Sequence, residues 1–190
     1  AADIRFEDQV EAAVDKAVQQ FGGLDILVNN ASAIFLAGTE ETPMKRFDLM
    51  HAVNVRGTFL VSQKCIPHLS QGDNPHILNI APPLNMQSHW FAHHAAYTMS
   101  KYGMSMCVLG MSIEFKKYNI AVNALWTKTA INTAALAMLG GYVTPEQCRK
   151  PEIVSDAAYV ILSKNSKECT GNFFIDENVL KEEGEKNFEK

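Results

Sequence analysis

The 190-residue sequence lacks the features that mark a membrane, secreted or nucleic-acid-binding protein. No apolar run approaches the ~18 residues that a membrane span requires, and the first residues lack the basic and apolar regions of a signal peptide. Lysine and arginine form no cluster and the net charge is −4, so we expect no nucleic-acid partner. The four cysteines are scattered without a C-x-x-C pair, which predicts free thiols in a reducing, intracellular compartment.

The composition is that of one globular domain. Hydrophobic residues make up 47% of the chain and charged residues 20%, enough for a sizeable core. The stretch 181–190 differs, because it is charged and poor in apolar residues, and we interpret it as a tail or linker. The predicted domain therefore covers residues 1–180.

Short apolar runs alternate with segments of helical spacing. Residues 1–4 are predicted to be the end of a strand, and further strands are predicted at 24–28, 76–80, 120–125 and 172–175. The predicted helices cover 7–21, 42–67, 94–117 and 151–163. The first helix should stop at Gly22-Gly23, and the second should begin with Thr42 as N-cap and Pro43 as its first residue. The alternation predicts an α/β fold with a doubly wound parallel sheet. The run 24–28 should be buried on both faces.

Polar residues follow several of these strands. In a parallel sheet the carboxyl ends of the strands lie along one edge, where ligands bind near the topological switch point. The residues expected along this edge are Asp3, Asn29, Asn30, Asn79 and Thr127.

A tyrosine and a lysine four residues apart, Tyr97 and Lys101, lie near the start of a long helical segment. Residues at this spacing share one helix face. The ammonium should favour the ionised form of the phenol, which would provide a proton donor or acceptor near neutral pH. The same spacing also occurs in helices as an exposed pair that contributes about a few tenths of a kcal/mol.

Four stretches, taken together, are similar to motifs of the short-chain dehydrogenase/reductase family. They are the strand-end sequence Leu24–Ser32, Asn54 within residues 51–57, the Y-x-x-x-K pair at Tyr97 and Lys101, and the strand Val122–Leu125. The resemblance extends over nearly all of residues 1–180. It implies a Rossmann-type fold, a nicotinamide cofactor and oxidoreductase activity.

The resemblance also implies catalytic roles. Tyr97 would exchange a proton with the substrate oxygen, and Lys101 would hydrogen-bond the nicotinamide ribose and favour the tyrosinate. Asn54 would hold a water in the proton relay behind Lys101. An alternative is that Asn29, Asn30 and Asn54 tie strand ends to a helix by hydrogen bonds.

The remaining implications concern cofactor and assembly. Asp3 would contact the adenine, and Asn30, Ala31 and Ser32 would lie beside the cofactor. The resemblance favours NADP over NAD, a homo-oligomer, and a peroxisomal or mitochondrial location.

The sequence departs from the family pattern first in lacking a G-x-x-x-G-x-G turn. That turn brings backbone N–H groups to the pyrophosphate and belongs to the first strand–helix unit. By the resemblance, the chain begins at the third strand and lacks the first βαβα portion. We expect such a piece to bind a dinucleotide poorly and to be inactive alone.

Two further departures affect the site. Pro82 stands where the family carries a serine that assists the tyrosine, and the loss of one oxyanion donor typically costs roughly 10²–10³ in rate. Asn85 or Ser88 could replace that donor, with Asn85 as our hypothesis; alternatively, Asn85 only satisfies loop backbone. Thr127-Lys128 replaces the usual P-G, so Thr129 and Ile131 could meet the nicotinamide or the pyrophosphate.

An aromatic and histidine-rich loop precedes Tyr97. The spacing of His89 and His93 would suit a metal if the loop were helical, but no Asp, Glu or Cys lies near in the sequence. A wall facing an apolar substrate, with Trp90 and Phe91, is the preferred interpretation, and ordinary loop packing is the alternative.

The sequence thus predicts an NAD(P)-dependent oxidoreductase that acts on an apolar carbonyl or alcohol of lipid or steroid type. The second hypothesis is a reductase-fold lipid-binding or scaffold protein with weak catalysis, because Pro82 replaces the serine.

Overall fold

One parallel sheet organises the chain. The computed structural model describes residues 1–139 and 143–188, and the side chains of 137–139 are not described. The strands lie in the order β1-β2-β3-β4, with every neighbouring pair parallel. Their bounds are β1 Ile26–Asn29, β2 His76–Ile80, β3 Ala121–Trp126 and β4 Phe173–Ile175. The predicted α/β fold with a parallel sheet is confirmed.

Helices cover both faces of the sheet. They are α1 Glu7–Phe21, α2 Met44–Met50, α3 Thr58–Leu69, α4 Ala95–Glu114, α5 Glu152–Ser163 and α6 Asp176–Glu182, with a π-helix at His51–Gly57. Short 3-10 helices cover Ser88–Trp90, Phe115–Tyr118, Ala134–Leu139 and Pro145–Gln147. The core on one face is formed with α1, α3 and α4, and the core on the other face with α5 and α6. No helix in the described ranges is long and apolar enough to cross a membrane.

The two central strands explain why the sequence signal was strong there. In β2 and β3 all residues except the last are buried, as expected of strands covered on both faces.

The first strand is different. Ile26 and Val28 in β1 are 47% and 43% exposed, so the prediction that this run is buried on both faces is wrong. Strand β1 pairs only with β2 in the described part of the sheet.

The predicted strand end at residues 1–4 is also wrong. The backbone there forms no ladder with any described strand, and a strand needs such a partner to satisfy its backbone groups. Instead Arg5 bonds the Asp3 carboxylate at 2.5 Å.

The second predicted helix is present but is divided into α2, the π-helix and α3. Thr42 is not its N-cap: the Thr42 hydroxyl donates to the Gly38 carbonyl at 2.7 Å, and Pro43 occupies the cap position. The helix ends at Leu69, two residues beyond the predicted end at Pro67. Sequence periodicity did not reveal the π-helix, because one wide turn contains too few residues to alter the apolar spacing.

Helix α4 packs closely against the π-helix at Gly103. A Cβ at this position would lie 2.6 Å from the Val55 Cγ2 atom, so only glycine allows the two backbones to approach this far. The first helix ends as predicted, because Gly22 adopts a left-handed φ of 85° that glycine tolerates without steric cost.

A buried carboxylate joins three segments near the end of the chain. Glu177 has a nearly buried side chain and forms ion pairs with Lys128, Arg149 and Lys181 at 2.5–2.8 Å. Hydrogen bonds from the Lys128 and Lys181 amines lower the pKa of Glu177 to about 2. The loop that follows β3 is therefore anchored to α6.

The charged stretch predicted from residue 181 begins inside a helix, since α6 extends to Glu182. Further along, the Phe188 carbonyl accepts a hydrogen bond from Arg149 at 3.0 Å, and the Phe188 ring lies below the Arg149 and Lys181 cations. Folded structure thus continues past residue 180. Residues 189 and 190 of the predicted tail lie outside the described residues.

Candidate active site

The lysine of the Y-x-x-x-K pair is buried at the edge of the sheet. Lys101 is 3% exposed, and its Nζ donates to the Ile80 carbonyl at 2.6 Å, where β2 ends. It also contacts Met104 Sδ at 3.3 Å and lies 5.1 Å from the ring centroid of Trp126, the last residue of β3. Helix α4 therefore brings this amine to the carboxyl ends of two strands, the edge where ligands bind in such sheets.

Tyr97 occupies the same helix face one turn earlier. Its side chain is partly buried and makes no hydrogen bond within the described residues. Burial raises the pKa of Tyr97 to about 12. This direction is opposite to the lowering predicted from the Lys101 spacing, and its cause is the loss of solvation around the phenol. At neutral pH the residue is an intact phenol, which can donate a proton.

The buried Lys101 amine should give the protein a stability that rises with pH. Burial lowers the pKa of Lys101 from 10.5 to about 7. Between these two values the unfolded chain binds more protons than the folded chain, so the free energy of unfolding increases with pH. We expect Lys101→Met to remove a slope of about 1 kcal/mol per pH unit between roughly pH 7.5 and 8.5.

Chemical denaturation of the full-length protein and its Lys101→Met variant at both pH values measures this slope. Thiols with raised pKa, such as Cys65, contribute equally to both proteins and cancel in the comparison. Lys16→Met is the matched control, because Lys16 is exposed on α1. Equal slopes in wild type and Lys101→Met would contradict the prediction.

Asn54 is fully buried in the π-helix and binds two segments. Its Nδ2 donates to the Ala33 carbonyl and to Ser100 Oγ, both at 2.9 Å, and its Oδ1 accepts from the Ala33 N–H at 2.7 Å. Ser100 in turn donates to the Tyr97 carbonyl at 2.8 Å. The side chain of Asn54 thus ties the loop after β1 to the turn of α4 that carries Tyr97. This is the alternative role considered from the sequence; the role in holding a water stays a prediction.

A second asparagine pair connects the strands to the same helix. Asn29 Nδ2 donates to Asn79 Oδ1 at 2.8 Å, and Asn79 Nδ2 donates to the Met104 carbonyl at 3.1 Å. Both side chains are buried, and the pair ties the ends of β1 and β2 to α4. The next residues, 30–32, are exposed after the end of β1.

The loop after β2, in which Pro82 stands at the position of the family serine, places Asn85 at the surface. Its backbone N–H and carbonyl both bond the Tyr102 hydroxyl, at 3.2 and 2.7 Å. Its side-chain Oδ1 accepts from the Gln87 N–H at 3.0 Å, which is the loop-satisfying role considered from the sequence. The Asn85 Nδ2 has no partner among the described residues and keeps its donors. Pro82 offers only its carbonyl, which accepts from Ser105 Oγ at 2.6 Å.

The other predicted cofactor residues lie apart from Tyr97 in the sequence and differ in their contacts. Asp3 is engaged by Arg5, whose hydrogen bonds lower the pKa of the Asp3 carboxyl. Thr129 is exposed in the loop after β3. Ile131 lies in an isolated bridge with Arg149, which holds the loop near the Glu177 ion pairs.

The histidines before Tyr97 do not share one environment. His94 Nδ1 lies 3.0 Å from Thr98 Oγ1, His93 has a φ of 67°, and the His89 ring lies 4.7 Å from that of Trp90. Across residues 1–139 and 143–188, no three His, Cys, Asp or Glu side chains are grouped to hold a metal ion. Trp90 and Met86 are 50% and 75% exposed in this loop, whereas the Phe91 ring packs edge-on against Tyr102.

Sequence reasoning missed two residues of this site. Trp126 received no role from the sequence, although an aromatic residue at the carboxyl end of a central strand is a usable signal. Ser100 had no signal, because its role depends on the Asn54 amide across the helix interface.

The residues present fit the nicotinamide end of a dinucleotide. Lys101 has three N–H donors and uses one on Ile80 and one on the weak acceptor Met104, which leaves one donor for a ribose hydroxyl. The exposed residues 30–32, which follow the end of β1, can approach a ligand at the same edge. For the pyrophosphate the chain contains no G-x-x-x-G-x-G turn.

Comparison with known proteins agrees with this geometry. Residues 1–139 match the family model described as short chain dehydrogenase. The chain is 62% identical to hydroxysteroid dehydrogenase-like protein 2 of Bos taurus over 187 residues, which are 98% of this chain and 44% of that protein. The chain thus spans less than half the length of the curated relatives it matches.

Two solved structures show the same fold. A short chain dehydrogenase from Mycobacterium thermoresistibile is 51% identical with a TM-score of 0.90, over 97% of this chain and 66% of that one. A 7α-hydroxysteroid dehydrogenase, solved with NADH and 7-oxo glycochenodeoxycholic acid, is 27% identical with a TM-score of 0.78, over 92% of this chain and 70% of that one. With its parallel sheet and the Tyr97–Lys101 pair at the sheet edge, the chain belongs to the short-chain dehydrogenase/reductase family.

Proposed function

We propose that the full-length protein containing this chain is an NAD(P)-dependent oxidoreductase that interconverts an apolar carbonyl compound and its alcohol. The observation that carries this proposal is the partly buried Tyr97 phenol, which has no hydrogen-bond partner among the described residues and shares a helix face with the buried Lys101 amine. Membership of a dehydrogenase family supports it.

In the direction of reduction, Tyr97 donates its proton to the substrate oxygen as negative charge develops there. Hydride transfer is the chemistry that a nicotinamide cofactor supplies when it is bound. A phenol with a pKa of about 12 is protonated at neutral pH and therefore ready to donate. In the direction of oxidation the same oxygen would first lose its proton and then accept the proton of the alcohol.

The residues around this pair would position the reactants. Lys101 would hydrogen-bond the nicotinamide ribose, and Asn54 would hold a water behind it through its backbone or the second lone pair of Oδ1. Residues 30–32 would lie beside the cofactor, with Asp3 toward the adenine. Thr129 and Ile131 would approach the cofactor from the loop after β3. NADP is the preferred cofactor and NAD the alternative.

An apolar substrate is supported by the loop between β2 and α4. Shortly before Tyr97, Met86 exposes most of its side chain and Trp90 exposes half. A polar substrate would gain little binding free energy from contact with these two side chains. A lipid-like or steroid-like carbonyl compound would bury this surface. One of the similar structures contains a steroid derivative, which agrees with this choice.

A homo-oligomer and an organelle location, peroxisomal or mitochondrial, complete the proposal. The methionines of α4 divide into two groups: Met104 and Met111 are buried, whereas Met99 and Met106 are exposed. The exposed pair is available to a second subunit.

The direct test is an assay of the full-length protein with NADPH or NADH and a series of carbonyl compounds of increasing apolar size. We expect oxidation of the reduced nicotinamide that increases with the apolar area of the substrate. A full-length protein that oxidises neither cofactor with any member of the series would contradict the proposal.

Asn85 tests whether the loop replaces the missing serine. We expect Asn85→Asp to lower turnover about 10²-fold with little change in KM, because aspartate keeps the acceptor for the Gln87 N–H but offers no donor to the substrate oxygen. Asn85→Ala should lose a similar factor, and Ser88→Ala, in the same loop, should retain turnover. Steady-state kinetics on the full-length protein measures all three variants. Unchanged turnover in Asn85→Asp would leave Asn85 with a structural role alone.

One observation favours a second candidate, a lipid-binding or scaffold protein with weak catalysis. Pro82 has no donor at the position of the serine, and the nearest candidate replacement is an exposed side chain. The two candidates differ in a simple binding experiment. A catalytically weak binding protein would bind the apolar carbonyl compound without measurable oxidation of the cofactor.

A further inference from the structure

The indole of Trp126 lies against the Lys101 amine. The Nζ atom is 5.1 Å from the centroid of the ring, within the distance of about 6 Å at which a cation is attracted to the face of an indole. Trp126 is the last residue of β3 and is partly buried. The amine is buried, so water does not screen this attraction as it would at an exposed site.

The other groups around the amine are neutral. Its Nζ contacts are the Ile80 carbonyl and Met104 Sδ, and no carboxylate within the described ranges pairs with it. The aromatic face and the carbonyl are therefore the two groups that favour a positive charge here.

The titratable and charged side chains on the packed elements do not supply a counter-charge. Helix α4 itself places Tyr97 one turn away, β3 carries no titratable residue, and His76 lies at the opposite end of β2. In the π-helix, His51 bonds the Phe47 carbonyl and Arg56 bonds the Arg5 carbonyl. The carboxylates on the helices around the amine are both exposed: Asp48 lies on α2, and Glu114 is the last residue of α4, at the far end of the helix from Lys101.

We infer that Trp126 is a positioning residue that favours the cationic form of the Lys101 amine at the cofactor-facing edge of the sheet. The inference deepens the proposed function, on which it rests for its kinetic consequence. A cationic amine binds a ribose hydroxyl and stabilises negative charge near Tyr97 better than a neutral amine. Trp126 would thus extend the pH range in which the site works.

The kinetic test is the pH profile of kcat/KM for the full-length protein. In Trp126→Leu the amine loses the aromatic face but remains shielded from water. We therefore expect the alkaline loss of activity to move to lower pH by about 0.5–1 unit. Trp126→Phe keeps an aromatic face and should recover part of the shift. Tyr159→Leu, which removes an exposed aromatic side chain from α5 on the other face of the sheet, should leave the profile in place.

A second readout does not need activity. In a Trp90→Phe background, which removes the indole lying against His89, the emission of Trp126 should change with pH as the adjacent amine gains or loses its proton. This pH-dependent change in emission should be absent when Lys101→Met is added to the same background. Circular dichroism and thermal unfolding show whether each variant is folded.

The outcomes separate this inference from the proposed function. A pH-dependent emission that Lys101→Met abolishes supports the pairing even if no substrate is turned over. An emission profile that Lys101→Met leaves unchanged would overturn the inference. The inference would also be overturned if kcat/KM fell at the same alkaline pH in the wild type and in a folded Trp126→Leu protein. Absence of hydride transfer in every protein would count against the proposed function alone.

Discussion

Replacing Tyr97 with phenylalanine in the full-length protein is expected to lower turnover by about 10²–10⁴-fold, the range that a positioned proton donor contributes. The change removes one hydroxyl that makes no hydrogen bond within the described residues, so the folded structure should be retained. The loss should appear in kcat, because the phenol acts on the negative charge that develops on the substrate oxygen as the carbonyl group is reduced. KM should change little.

Steady-state kinetics with the best carbonyl compound of the series measures this effect, and thermal unfolding confirms that the variant is folded. Tyr159→Phe is the matched control, because Tyr159 is 75% exposed on α5, the helix on the opposite face of the sheet. It should retain full turnover. If Tyr97→Phe were as active as Tyr159→Phe, the proton would pass through another group and the proposed mechanism would be wrong.

Asn54→Leu should lower the free energy of unfolding by about 2–5 kcal/mol. Leucine has a similar size but leaves the N–H and carbonyl of Ala33 without the partners they have in the wild type. Ser100 Oγ also loses its donor, although its own bond to the Tyr97 carbonyl remains. The cost arises because buried polar groups that lose a partner keep their full desolvation penalty.

Denaturant unfolding of the full-length protein measures this loss. Asn132→Leu is the control, because Asn132 is exposed and its side chain makes no hydrogen bond within the described ranges; it should change the free energy of unfolding by less than about 0.5 kcal/mol. An Asn54→Leu protein as stable as Asn132→Leu would show that the buried amide contributes no net stability.

The central strands and the longest helix could be predicted from the sequence because local pattern and tertiary environment agree there. Apolar runs at 76–80 and 120–125 correspond to β2 and β3, whose buried faces need continuous hydrophobic residues. Helix α4 begins within one residue of its predicted start. The Tyr97 and Lys101 pair was found because a four-residue spacing has one geometric meaning in a helix.

The wrong or missing predictions concern properties that depend on contacts between residues distant in the sequence. The exposure of Ile26 and Val28 depends on which elements cover β1, which apolar composition does not reveal. The pKa of Tyr97 is raised by burial, and burial depends on residues from other elements that the spacing of Tyr97 and Lys101 does not reveal. The Trp126 contact joins two elements at the end of two strands, and spacing along the chain carries no information about it.

The close packing at Gly103 has a consequence for how such a site can vary. Because a single added methyl group would collide with Val55, the distance between the helix that holds the buried amide and the helix that holds the phenol is set by the smallest possible side chain. Mutational drift on the outer side of α4, for example at Met99 and Met106, does not disturb that separation. The exposed side of α4 can therefore vary in sequence while Asn54 and Tyr97 keep their relative positions.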